Sequence, residues 1–127
     1  MCAAVADYTP KEVATHKLKK DDNDLHIALR RTKDIAAELG QTKGNRLLIG
    51  FALESHDGEQ HARKKLHDKG LDFIVLNSLQ DKGAGFGVDT NKVTFIDSEG
   101  KEELPLMSKS EVAARIADKM EECFEKR

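Results

Sequence analysis

Two apolar runs on either side of one amphipathic stretch most constrain what this chain can fold into. Residues 47–53 form an uninterrupted apolar run, the pattern of a parallel strand that is covered on both faces. Residues 58–69 follow, with Ala62 and Leu66 at helical spacing. Residues 71–76 combine β-branched and aromatic side chains, as strands do. This order of strand, helix and strand predicts an α/β fold with a largely parallel sheet.

The segments that precede this unit are shorter and less regular. Residues 2–6 are small and apolar, which predicts a buried strand. Residues 25–29 alternate with a period near two, which predicts a strand with one solvated face. Thr32 is placed to cap a helix over residues 34–39, with Gly40 just past the end of that helix.

The C-terminal third predicts one more strand, a turn and a long helix. Residues 93–96 have strand character, and residues 97–100 carry a turn signal. The last helix opens with Ser108 and Glu111 at the spacing of a capping box. Its apolar stripe recurs every four residues, at Val112, Ile116, Met120 and Phe124.

The start of the sequence bears on how much of a domain is present. A doubly wound domain usually carries a Gly-rich strand-to-helix turn near its first strand, and this sequence has none there. We therefore predict an α/β fold with a Rossmann-like, mostly parallel sheet that is incomplete. Residues 1–127 are expected to be the C-terminal part of that domain.

Composition argues against several classes of protein. No apolar run approaches the ~20 residues that span a bilayer, so a membrane protein is not expected. The 21 Lys and Arg balance 23 Asp and Glu, so the net charge does not indicate a nucleic-acid binder. Cys2 and Cys123 stand at opposite ends without a charged-then-apolar leader, which predicts reduced thiols and a cytoplasmic protein. Basic runs at residues 16–20 and 63–65 suit a compact anion such as a phosphate.

Several motifs are weak indicators by themselves. The five histidines lack the spacing of a metal site. Ser55, His56 and Asp57 are adjacent in sequence, so they cannot converge as a catalytic triad does. The glycines of residues 83–87 are as typical of a tight turn as of a ligand loop. Phe51, near the end of a strand, is as typical of core as of a side chain that packs on a base.

In combination, these segments resemble the C-terminal part of phosphopantothenoylcysteine synthetases. This coenzyme A biosynthesis domain is often fused behind a flavin-dependent decarboxylase. The resemblance follows the order of the chain and spans nearly all of it. It rests on residues 3–8, 17–20, 50–55, 62–66, 69–72, 75–77, 85–87, Asp89, Asn91, 104–106 and 108–113.

The resemblance implies a phosphopantothenate–cysteine ligase. Such enzymes use CTP, with Mg²⁺, to activate the carboxylate of 4′-phosphopantothenate as an acyl-cytidylate, which the amine of L-cysteine then attacks. It also implies a homodimer, with FMN present only where a decarboxylase domain is fused upstream. The family's N-terminal half has no counterpart in this sequence, so the chain alone is expected to be inactive. The alternative is a non-catalytic nucleotide-binding or dimerising module of the same fold.

The resemblance further implies roles for individual residues. Lys17 would be the catalytic lysine of a strap that closes over the acyl intermediate, and Ala3 and Ala4 would line the reacting centre. Lys65 and Lys69 are four residues apart, so on a helix they share one face, and both are expected to be solvated without ligand. Nucleotide contacts are implied for Cys2, Ala3, Asp7, Lys17, Lys33, Asp34, Ile35, Ala36, Phe51, Lys65 and Lys69. The resemblance does not specify which residues would bind Mg²⁺.

Overall fold

The structure is a computed structural model that describes residues 5–19, 24–78, 83–85 and 87–127. The chain divides into two units, Met1–Ile35 and Ala36–Arg127. The first unit holds a short two-stranded ribbon. The second holds the main sheet and its helices.

The ribbon of the first unit is antiparallel and exposed. Strand β1 (Tyr8–Pro10) pairs with strand β2 (Leu29–Arg31). The strand predicted at residues 25–29 is wrong in extent, because only Leu29 of that segment belongs to β2. The strand predicted at residues 2–6 falls mainly on residues outside the described ranges.

Thr32 closes the ribbon and does not cap a helix. Its backbone N–H donates to the carbonyl oxygen of Asp7 at 2.9 Å, and its hydroxyl donates to the carbonyl oxygen of Ala6 at 2.7 Å. The prediction that Thr32 is a helix cap is therefore wrong, since its hydroxyl is used in the ribbon.

The second unit is built on a four-stranded sheet in the order β3–β4–β6–β7. Strand β3 (Ile49–Glu54) runs parallel to β4 (Phe73–Ser78), as the sequence predicts. Strands β6 (Val93–Ile96) and β7 (Lys101–Glu103) add antiparallel pairs. The sheet is mixed because a helix connects β3 to β4, whereas the tight turn at residues 97–100 allows only an antiparallel return. The predicted α/β class is confirmed.

Three helices and one small strand pair complete the described residues. Helix α1 spans Ile35–Thr42, α2 spans Gly58–Asp68 and α3 spans Lys109–Glu125. Strands β5 (Thr90–Asn91) and β8 (Met107–Ser108) pair antiparallel just before α3. The predicted boundaries of α2 hold to within one residue.

Local signals place the start of α3 correctly. The Ser108 hydroxyl accepts from the backbone N–H of Glu111 at 3.2 Å, and the Ser108 N–H donates to the Glu111 carboxylate at 2.8 Å. The capping box predicted from the sequence is therefore confirmed.

The two faces of the sheet carry separate cores. Helix α2 covers one face, where Ala62 packs with Ala52, Ile74 and Ile96. Helix α3 covers the other face, where Val112 joins a buried cluster. The other members of that cluster are Phe73, Val75, Val93, Phe95 and Leu104.

The apolar stripe of α3 drifts away from this core toward its C-terminal end. Ile116 and Met120 pack against the core, but Phe124 is 55% exposed, so its predicted place in the stripe is wrong. At ~100° per residue, Phe124 lies ~120° around the helix from Val112, whereas Cys123 lies within ~20°. Cys123 accordingly packs against the core in its place. Burial raises the pKa of its thiol, which fits the expectation of an inert cysteine.

Asp72, just before β4, links three parts of the second unit. Its carboxylate accepts from the backbone N–H of Leu48 at 2.7 Å, from Lys43 Nζ at 2.9 Å and from Arg127 at 2.5 Å. Burial alone would raise the pKa of Asp72, but these hydrogen bonds outweigh burial and the pKa is lowered. The ionised carboxylate therefore ties the C-terminus of the chain to the amino end of the sheet.

Gly40 lies inside α1 and not past its end, contrary to the sequence-based expectation. Helix α1 packs there on the backbone that follows α2, and a Cβ on Gly40 would overlap the carbonyl oxygen of Lys69. The glycine is needed for this close approach of two backbones.

Replacing Gly40 by alanine is therefore expected to lower the free energy of unfolding by about 1–3 kcal/mol, the usual cost of overpacking. This cost outweighs the gain of up to ~1 kcal/mol that alanine offers within a helix. Urea unfolding measures the effect, with Gly100→Ala as the matched control because a Cβ there meets no atom within 4 Å. Equal stability of the two variants would contradict the packing argument.

Candidate functional site

The carboxyl ends of β3 and β4 form the edge at which open α/β sheets bind ligands. Strand β3 ends there with Glu54, and α2 starts four residues later, at Gly58. Asn77 of β4 donates to the carbonyl oxygen of Ala52 at 3.3 Å, and its own side-chain oxygen accepts from Asn91 Nδ2 at 2.6 Å. This edge is therefore lined by polar side chains that are held in place by neighbouring groups.

Glu54 is the centre of a charged cluster at this edge. Its carboxylate accepts from Lys65 Nζ at 2.6 Å and contacts His61 Nδ1 at 3.3 Å. His61 and Lys65 lie one turn apart on α2, so both project from the same face of the helix. The hydrogen bond from Lys65 is the main cause that lowers the pKa of Glu54, so the carboxylate is ionised at neutral pH.

The structure corrects one expectation about the two lysines of α2. Both Lys65 and Lys69 are half-buried and not fully solvated, and Lys65 is held by the Glu54 carboxylate. Lys69 is the C-cap of α2, and its backbone N–H donates to the carbonyl oxygen of Lys65 at 3.1 Å. Lys65 thus belongs to the cluster at the carboxyl edge, whereas Lys69 lies at the far end of the helix.

Phe51 is 67% exposed, so its interpretation as core filler is wrong. Its β4 neighbour, Val75, belongs to the core on the α3 face, whereas Ala52 packs on the α2 face. Leu53 is exposed as well, so the predicted coverage of β3 on both faces fails near the carboxyl end of the strand. Since α3 does not cover this end of β3, these two side chains are accessible.

Phe51 and Lys65 therefore lie on opposite faces of the sheet. Strand β3 is an edge strand of the sheet formed by the described residues. A single ligand that contacts both side chains has to pass around strand β3.

The other residues implied in nucleotide contact fall near or before the start of α1. Asp7, Lys17, Lys33 and Asp34 are exposed members of the first unit, and Lys17 lies in a stretch without regular secondary structure. Ile35 and Ala36 open α1 and are half-buried. Cys2, Ala3 and Ala4 lie outside the described residues. The roles that the resemblance implies for all of these residues stay predictions.

The backbone conformation explains why glycine stands at positions 83, 85 and 87. Gly83, Gly85 and Gly87 all have positive φ, at 81°, 105° and 77°. The Thr90 hydroxyl donates to the carbonyl oxygen of Gly83, at 2.5 Å. These left-handed conformations favour glycine whether or not a ligand binds, so the glycines by themselves do not distinguish a tight turn from a ligand loop.

Neither a metal-binding cluster nor a membrane-spanning helix is found in the part of the chain that the structure describes. Within those residues, no group of three or more His, Cys, Asp or Glu side chains could hold a metal ion. Mg²⁺ usually binds at a nucleotide site through the phosphates, with one or two carboxylates of the protein. None of the described helices is both long and apolar enough to cross a membrane.

Sequence reasoning missed Glu54 and His61. The available signal was an acidic residue at the end of an apolar run, followed by a basic helix face with His61 and Lys65 four residues apart. Recognising their contact required the crossing of α2 over β3, which the sequence does not specify.

Comparison with known proteins places the chain in a family. Residues 1–124 match the family model described as the DNA/pantothenate metabolism flavoprotein C-terminal domain. The chain is 53% identical over 115 residues to the coenzyme A biosynthesis bifunctional protein CoaBC of Bacillus subtilis. This match covers 90% of the present chain and 28% of that protein. The chain is 51% identical over 122 residues to a cysteine/cysteine sulfinic acid decarboxylase of an unknown prokaryotic organism, covering 94% of this chain and 34% of that protein.

A solved structure agrees with these sequence matches. The crystal structure of the C-terminal domain of a coenzyme A biosynthesis bifunctional protein CoaBC matches with a TM-score of 0.72 and 40% identity, covering 98% of this chain and 53% of that chain. The chain spans 28% and 34% of the lengths of the two curated relatives. The family model nevertheless covers the sequence almost from end to end, and the chain belongs to the family of DNA/pantothenate metabolism flavoprotein C-terminal domains.

Proposed function

We propose that this chain supplies the nucleotide-using part of a coenzyme A biosynthesis enzyme, a phosphopantothenate–cysteine ligase that uses CTP. The observation that carries the proposal is the family match over residues 1–124, together with 53% identity to a CoaBC protein. The ammonium group of Lys65 at the carboxyl edge of the sheet supports it, because a nucleotide needs cations beside its phosphates.

The proposed reaction has two steps. The carboxylate of 4′-phosphopantothenate attacks the α-phosphorus of CTP, which forms an acyl-cytidylate and releases pyrophosphate. The amine of L-cysteine then attacks the acyl carbon, which forms the amide, releases CMP and gives up a proton. The first step brings two anions together, so positive side chains must offset their repulsion.

Residues of this chain have distinct roles in the proposal. Lys17 stabilises the charge that develops as the carboxylate meets the α-phosphate. Lys65 binds phosphate oxygens as a point charge on a long stem. Phe51 offers an exposed ring on which a base can pack. Magnesium enters as the partner of CTP, and FMN belongs to a fused decarboxylase domain where one exists.

A hybrid enzyme tests the function. In this hybrid, the present chain replaces the matching segment of the Bacillus subtilis relative, and pyrophosphate release is followed with CTP, Mg²⁺, phosphopantothenate and cysteine. We expect turnover that requires every substrate and that falls when ATP replaces CTP, whereas the 127-residue chain alone gives none. CTP binding without turnover, beside an active unmodified relative, would favour the non-catalytic nucleotide-binding module.

We also propose that the first unit meets a second copy of the chain in a homodimer. Its described residues expose seven large apolar side chains, at Val5, Tyr8, Val13, Leu18, Leu25, Ile27 and Leu29. A two-stranded ribbon is marginally stable at best in water, and its outer edges can pair with a copy of itself. Symmetric self-pairing would bury both the edges and the apolar side chains.

Sedimentation of the chain is expected to give a dimer at micromolar concentration. The variant Leu25→Glu with Ile27→Glu places two charges on the proposed interface and is expected to sediment as a monomer. Phe124→Glu, on the exposed side of α3, serves as the control and should stay dimeric. A monomeric wild type would contradict the proposal.

A further inference from the structure

We propose that Glu54 is a positioning residue that holds Lys65 in place to receive the triphosphate of CTP. The inference rests on the proposed function and adds a residue to it. Glu54 lies outside α2, at the carboxyl edge of β3, and its carboxylate contacts both His61 and Lys65 of that helix.

The backbone around Glu54 holds its carboxylate firmly. A Cβ built on Gly58 would lie 3.2 Å from the Cβ of Glu54, so the first turn of α2 packs directly against the stem of this side chain. Only 16% of the Glu54 side chain is exposed. The carboxylate therefore has little freedom to turn away from α2.

The long stem of Lys65 needs such a partner. Side chains on a helix lean toward its N-terminus, and the N-terminus of α2 lies at the carboxyl edge of β3. Without a partner, the lysine stem samples many rotamers, which a ligand must then restrict. The 2.6 Å hydrogen bond from Lys65 Nζ to Glu54 restricts them before any ligand arrives.

The ammonium group of Lys65 can still bind an anion while it is hydrogen-bonded to Glu54. It has three donor hydrogens, and Glu54 accepts one of them. The Lys65 side chain is 43% exposed, compared with 16% for Glu54, so the lysine is the more accessible of the two to an arriving phosphate. Glu54 thus acts on the nucleotide through Lys65.

Glu59 provides a matched control on the same helix. It also accepts from two cations, Arg63 at 3.0 Å and Lys101 at 2.8 Å. Lys101 belongs to β7, and the side chains of Lys101 and Glu59 are both 44% exposed. Replacing Glu59 removes ion pairs of the same kind without changing the surroundings of Lys65.

Kinetics of the hybrid enzyme defined above test the inference. Glu54→Gln is expected to raise the KM for CTP by about 3–10-fold and to leave kcat within about twofold, as for lost preorganisation of a binding group. Lys65→Gln should raise the same KM, and the double variant should be no worse than Lys65→Gln alone. Glu59→Gln should leave the KM for CTP unchanged.

Several outcomes would overturn the inference. Additive effects of Glu54→Gln and Lys65→Gln would mean that Glu54 does not act through the lysine. Tighter CTP binding by Glu54→Gln would make the carboxylate a competitor of the phosphate, and an unchanged KM in Lys65→Gln would remove the lysine from the site. If Glu54→Gln fails to fold, Glu54→Asp decides, since it keeps the charge and shortens the reach by one methylene. A hybrid without CTP-dependent turnover contradicts the proposed function itself, whereas an active hybrid with additive effects contradicts only the role of Glu54.

Discussion

Replacing Lys17 by alanine in the hybrid enzyme is expected to lower the rate of pyrophosphate release by about 100-fold or more. Loss of one group that stabilises developing charge in a transition state typically costs ~10²–10³ in kcat. The resemblance assigns that role to Lys17. The side chain is exposed in a stretch without regular secondary structure, so its removal is not expected to cost stability.

Lys109→Ala is the control for this experiment. Lys109 is also an exposed lysine, at the first position of α3, and the capping box formed by Ser108 and Glu111 does not use its side chain. We expect the turnover of the Lys109→Ala hybrid to match that of the unsubstituted hybrid. Equal losses in the two variants would mean that general basicity matters and that no positioned lysine is required.

The largest effect on stability is expected for Phe73→Ala, which should lower the free energy of unfolding by about 3–5 kcal/mol. Phe73 is fully buried in strand β4, and its ring meets that of Phe95 edge to face, with centroids 5.7 Å apart. Alanine would lose both the transfer free energy of the ring and its contacts with the surrounding cluster. Since a domain has only about 5–15 kcal/mol of stability, this loss is a large fraction of the total.

Phe124→Ala is the matched control, because the same atoms are removed from a side chain that is 55% exposed. Its cost is expected to be within about 0.5 kcal/mol, as for surface positions. Urea unfolding followed by circular dichroism measures both variants. Similar losses in the two would show that the α3 face of the sheet is not the main core of the second unit.

Local signals carried most of the secondary-structure prediction. The capping box of Ser108 and Glu111 places the start of α3, and the residues of α2 follow from the spacing of Ala62 and Leu66. The capping box depends on hydrogen bonds within one turn of chain, and the helical spacing of α2 is visible from residues four positions apart. Neighbours in sequence are enough to form them.

The candidate site was predictable only in part. The resemblance pointed to Lys65, and the basic face of α2 is visible in the sequence. The identity of its partner was not, because Glu54 and Lys65 are 11 residues apart and meet only where α2 packs on β3. Phe51 likewise occupies a strand position whose exposure depends on how far α3 reaches across the sheet.

The sequence by itself determined the α/β class, the strand–helix–strand unit and the family, because periodicity, caps and ordered motifs are properties of the chain. Tertiary structure alone decided which repeating positions are buried. It put Cys123 against the core where Phe124 was expected, because the side of α3 that carries Val112 packs on the sheet. Tertiary structure also requires glycine at position 40, where two backbones meet. It places the Thr32 hydroxyl in a hydrogen bond to Ala6 of the ribbon, so Thr32 does not cap a helix. Each of these outcomes depends on contacts between segments distant in sequence, and spacing along the chain cannot specify such contacts.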